Sequence, residues 1–80
     1  MAARYTTKVS DALIEVWDTS LLPEGLRIVE IGPPDPAVPW RIVTFDDDGA
    51  PDELNGLMVT PHFRVEPDRT VTVVGRELQQ

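Results

Sequence analysis

Between Leu57 and Gly75 the sequence alternates, turns and alternates again. On an extended chain Leu57, Val59, Pro61, Phe63 and Val65 share one face, while Met58, Thr60, His62 and Arg64 share the other. Glu66-Pro67-Asp68-Arg69 puts proline at the second turn position, where its fixed φ is already correct, and Thr70 to Val74 resumes the alternation. The stretch predicts an antiparallel hairpin. Pro61 has no amide hydrogen to give to a ladder, so it calls for a bulge or a sheet edge. In a chain of 80 residues, enough for one domain and one core, a hairpin of this length sets the fold class.

The remaining strands follow from the same signals. Leu26 to Ile31 is rich in branched residues and is closed by Gly32-Pro33-Pro34-Asp35-Pro36, so a strand gives way to a stiff exposed loop over Gly32 to Pro39. Trp40 to Phe45 predicts another strand, with Trp40, Ile42 and Thr44 on one face and Arg41, Val43 and Phe45 on the other. Large apolar groups on both faces are expected where a sheet is closed or doubly covered, or where one face meets another protein. Asp46 to Gly49 turns the chain. Pro51 to Gly56, with Pro and acids first and Gly last, predicts a single helical or 3₁₀ turn. Ser10-Asp11 ahead of Ala12, Leu13, Ile14 and Trp17 reads as a cap and one or two helical turns, with an edge strand as the alternative. Met1 to Ser10 is expected to be an extended arm that cannot fold alone, since Ala3 to Thr7 offers only Tyr5 as a bulky anchor, ahead of a single domain over residues 11–80. The expected fold is all-β: about five strands in a small SH3-like or OB-like barrel or a β-roll, with one short helical turn.

Composition narrows the function. Seven basic against fourteen acidic residues leave a net charge of −7, which opposes binding to a phosphate backbone and argues against a nucleic-acid partner. The absence of cysteine removes disulfides and thiolate metal sites. No apolar run reaches signal-peptide or membrane-spanning length, so an intracellular or virion-associated protein is expected, without a membrane partner.

No catalytic set emerges. His62 is the single histidine, and neither Ser10 nor Ser20 sits in a nucleophile-elbow sequence, so His62 is read as a surface or hydrogen-bonded residue. The glycines at 25, 32, 49, 56 and 75 are isolated turn glycines and form no phosphate-cradling loop. Asp46, Asp47, Asp48, Asp52 and Glu53 make an acidic patch, but they lack the spacing of an EF-hand loop and read as a solvated turn, with a weak ion site or a docking patch for a basic surface as the alternatives. Trp17, Trp40, Tyr5 and Phe63 are expected to serve packing more than base stacking. Six of the seven bases are arginine, the base suited to bidentate and interface pairing. Arg4, Tyr5 and Lys8 in the arm, with Trp40, Arg41 and Arg64 on the strands, are the candidate interface.

The expectation is therefore a non-enzymatic structural or interaction protein, needing no cofactor, metal or small-molecule substrate. Its partners would be protein subunits, as for a virion decoration or minor capsid protein. The alternative is a small acidic regulator that offers the Asp-rich turn to a basic protein.

Overall fold

The computed structural model describes residues 3–79 and is mainly β. Its strands are β1 (Ala3–Ser10), β2 (Leu26–Ile31), β3 (Trp40–Asp47), β4 (Val59–Val65) and β5 (Val71–Leu78). One helix, α1 (Asp11–Val16), and 3₁₀ turns at Thr19–Leu21 and Asp52–Leu54 complete the secondary structure. The strands form a three-stranded antiparallel sheet in the order β1-β3-β2 and a two-stranded hairpin β4-β5. No ladder closes these into a barrel among the described residues.

The hairpin forms where the alternation places it. Its turn is held by the Glu66 amide on the Thr70 carbonyl at 2.8 Å and the Arg69 amide on the Glu66 carbonyl at 2.9 Å, with Arg69 in the left-handed region at φ 68°. The bulge demanded by Pro61 lies one step beyond it: the register shifts between His62 and Phe63, and Val74 on the partner strand is the extra residue. The segment 11–16 resolves as helix. The Ser10 hydroxyl accepts from the Leu13 amide at 3.1 Å, and this local cap supplies what an edge strand would have lacked.

The N-terminal segment departs from expectation. Met1 and Ala2 lie outside the described residues, but Ala3 to Ser10 is extended and fully paired with β3, from Ala3 opposite Asp47 to Ser10 opposite Trp40. Its inward residues Ala3, Tyr5, Thr7 and Val9 are all buried. It is thus a core strand of the domain and no separate arm, and a boundary at residue 10 divides one sheet. The sequence hid this because three of the four inward residues are small, and alternation of small residues leaves little hydrophobic signal.

The core sits between the two sheets. Tyr5, Val43, Phe45, Val59 and Val71 are its largest fully buried apolar members. Trp17, just after α1, stands edge-on to Phe45 at 6.1 Å and to Phe63 at 5.3 Å, while Tyr5 lies 5.8 Å from Phe45. Each such pair adds about 1 kcal/mol beyond the area it buries. These rings join β1 and β3 to β4. A second join runs along the outer edge of β1. The Arg4 amide donates to Asn55 Oδ1 at 2.9 Å, the Gly56 amide to the Arg4 carbonyl at 2.7 Å, and the Thr6 amide to the Leu57 carbonyl at 3.1 Å.

Candidate functional site

β3 is the central strand, and its alternation divides the chemistry of the molecule between two faces. Val43, Phe45 and Asp47 point into the core. Trp40, Ile42, Thr44 and Asp46 point to the solvent side, where register sets Ser10, Lys8, Thr6 and Arg4 of β1 beside them in turn. β2 contributes Arg27 opposite Asp46 and, beyond its bulge, Glu30 opposite Thr44. The two apolar faces noted in β3 are therefore distinct: one is core, and the other, carrying Trp40 and Ile42, packs neither within the core nor against it.

At one end of this outer face Arg4 makes a two-pronged contact with Asp46, at 2.7 Å from Nε and 3.1 Å from a terminal nitrogen, and Arg27 approaches the same carboxylate at 3.2 Å. The Arg4 hydrogen bonds hold the Asp46 carboxyl below its ordinary value, with Arg27 adding to the effect. At the other end Lys8 Nζ lies 4.6 Å above the Trp40 ring, a cation–π contact. Beside Trp40, residues Gly32, Pro33, Pro34, Asp35, Arg41 and Ile42 line a cleft of about 270 Å³. Its rim is held by Arg41 Nε on the Gly32 carbonyl at 2.7 Å, and a side chain at position 32 would run into the Ile42 carbonyl at 2.9 Å.

The six candidate interface residues thus separate. Arg4, Lys8 and Trp40 share the outer face, and Arg41 reaches its rim through Gly32. Tyr5 is withdrawn into the core at 1 % exposure. Arg64 is on the other sheet, opposite Thr72, and pairs with Glu66 at 2.8 Å.

The acidic patch separates too. Asp46 belongs to the outer face. Asp47, adjacent in sequence, is buried and accepts from Tyr5 Oη at 2.8 Å, from Arg76 at 2.6 and 2.9 Å, and from the Gly49 amide at 3.0 Å. Burial pushes the Asp47 carboxyl up, but the hydrogen bonds from Arg76 and Tyr5 outweigh it and hold the carboxyl below its ordinary value. Asp48, Asp52 and Glu53 remain exposed. Among the described residues no three acidic or histidine side chains converge as a metal site. His62 is exposed on β4, with Nε2 3.0 Å from Glu77.

Sequence reasoning set Ile42 beside Trp40 on one face of β3 but named neither Ile42 nor Arg27 as a candidate site residue, and it missed the Tyr5–Asp47–Arg76 network beneath that face. The first two follow once β1 and β2 are known to flank β3. The network needs the register of β3, which a run of three aspartates conceals. No family model, curated protein or solved structure matches the chain.

Proposed function

We propose that this chain is a non-enzymatic interaction protein, an accessory subunit of a larger assembly such as a virion decoration or minor capsid protein. It docks through the outer face of the β1-β3-β2 sheet. One observation carries the proposal: Trp40 and Ile42 lie outside the core on a half-buried face that also presents Lys8, Arg4 and Arg27. Tryptophan and arginine are the residues most enriched where truncation weakens an interface, and a tryptophan with a cation over its ring is an anchor already partly ordered before binding. On this proposal the two sheets are an open relative of the SH3-like or OB-like barrel, or a two-layer β-roll, with one sheet face left for a partner. The working compartment is the cell interior or the virion.

The acidic-regulator alternative is weaker, because Asp46 and Asp47 are already matched to arginines and only Asp48, Asp52 and Glu53 are left to face a basic partner.

Sedimentation of lysate from the native source tests the proposal. The chain is expected at fixed stoichiometry in a large particle, and a folded Trp40→Ala variant is expected to stay at the top of the gradient. A wild-type chain that runs as a free monomer, or a Trp40→Ala chain that travels with the particle unchanged, overturns it.

A further inference from the structure

Asn55 is the only asparagine in the chain, and Gly56 follows it. This pair is self-reactive by general chemistry: the backbone nitrogen of the second residue can attack the side-chain amide carbon of the first, and a glycine leaves that nitrogen unshielded. Both residues are exposed, and a Cβ built on Gly56 would meet no atom within 4 Å beyond its two chain neighbours, so no other part of the fold crowds the glycine.

In the folded chain both reacting groups are already engaged, and by the same residue. Asn55 Oδ1 accepts from the Arg4 amide at 2.9 Å, which holds the side-chain amide on β1. The Gly56 amide, the attacking nitrogen, donates to the Arg4 carbonyl at 2.7 Å. The contact continues through the Thr6 amide on the Leu57 carbonyl at 3.1 Å and a parallel bridge between Thr6 and Met58. The segment that carries the reactive pair is thus the segment that covers the outer edge of β1.

We propose that Asn55-Gly56 is a conformation-gated self-modification site, closed while it is clamped on β1 and reactive when that edge opens. In the open state a bond forms between Gly56 N and Asn55 Cγ. The bond from Cγ to the amide nitrogen breaks, and the proton from Gly56 N departs with that nitrogen as ammonia, leaving a succinimide. Water, the only co-reactant, then adds to one of the two imide carbonyls. Addition at Cγ leaves an ordinary aspartate at position 55. Addition at the backbone carbonyl leaves an isoaspartate, whose main chain runs through Cβ and Cγ and is one carbon longer. The aspartate can still accept from the Arg4 amide. The isoaspartate moves the acceptor and the Gly56 donor out of step with Arg4, and it adds a negative charge beside Asp52 and Glu53. A transient opening of the β1 edge is thereby made permanent.

The test is to incubate the full chain at mildly alkaline pH, folded in buffer and unfolded in guanidinium chloride, and to map position 55 by mass spectrometry as its amide NH2 is exchanged for OH. Conversion is expected in the unfolded chain and at least about tenfold more slowly in the folded one, since two hydrogen bonds must open first. An Asn55→Gln chain is expected to convert in neither. The purified isoaspartyl form is then expected to lose hydrogen-exchange protection at the Thr6 amide. Equal rates with and without denaturant, no product in the unfolded chain, or full Thr6 protection in the isoaspartyl form would each overturn the proposal.

Discussion

Asp46 and Asp47 are neighbours of one residue type on one strand, and both are bound by arginine, yet they stand on opposite faces of β3. The Asp46 side chain is 17 % exposed, and its partners Arg4 and Arg27 are 60 % and 76 % exposed. The Asp47 side chain is 2 % exposed, and Arg76 only 23 %. The outward pair works in water, where the Coulomb attraction is weak and the two arginine side chains remain largely exposed. The inward pair has lost its water and must be matched atom by atom. It joins β3 to β1 through Tyr5 and to β5 through Arg76, so it ties the hairpin to the three-stranded sheet. Similar hydrogen-bond distances at the two sites therefore do not carry equal free energy.

The sharpest way to break this contrast is to remove each carboxylate in turn. Asp47→Ala strands the Arg76 charge and the Tyr5 hydroxyl in the interior. A loss of about 3 kcal/mol is expected in equilibrium urea unfolding, a large share of the stability of a small domain. The same variant tests the acid limb. A carboxyl held below its ordinary value binds its proton less readily folded than unfolded. Its stabilisation is therefore complete above the unfolded value of about 4 and is lost as pH falls through that value and on through the lower folded one. Wild-type stability should fall below about pH 4, and Asp47→Ala should fall less steeply over the same range. Equal slopes would mean that the buried carboxylate is not what acid attacks.

The hairpin and the strands at 26–31 and from 40 onward were legible because alternation, branched residues and turn chemistry agree there. The Ser10 cap was legible for the same reason, since it is a local interaction with a residue three positions away. What escaped was set by pairing at long range. β1 looked like an arm because Ala3, Thr7 and Val9 are small and only Tyr5 announces a buried face. Asp47 looked like part of a solvated turn because β3 runs two residues further than its apolar pattern, and its inward direction is decided by register with β1. The outer face was half legible: Trp40 and Lys8 stood out by residue type and alternation set Ile42 beside Trp40, whereas Arg27 joined them only when the sheet order was known.

A smaller effect distinguishes the two partners inside the buried network. Tyr5→Phe keeps the ring against Phe45 and removes only the hydroxyl that donates to Asp47. A loss of about 1.5 kcal/mol at neutral pH is expected, the usual scale for a hydrogen bond to a charged group. The alkaline limb adds a second readout. Burial pushes the Tyr5 hydroxyl up, with the Asp47 carboxylate reinforcing it, so the folded chain holds this proton after the unfolded chain has released it. The corresponding stabilisation is complete below about pH 10 and lost as pH rises beyond it. Tyr5→Phe should lack that part of the alkaline decline, and an unchanged decline would assign it to other groups.

The smallest effect is expected at the outward pair, and it completes the contrast. Asp46→Asn releases Arg4 and Arg27 into water that already solvates most of each side chain, so the unfolding midpoint should move only a small fraction of the shift seen for Asp47→Ala. Salt should act in the same sense. Raising ionic strength to about 1 M shortens the screening length to about 3 Å and should erase whatever difference exists between wild type and Asp46→Asn. It should leave the difference between wild type and Asp47→Ala almost intact, because ions do not enter the space between Asp47 and Arg76. If Asp46→Asn instead lowers stability as much as Asp47→Ala, the Arg4–Asp46–Arg27 row is holding the sheet together, and its place on a docking face would have to be given up.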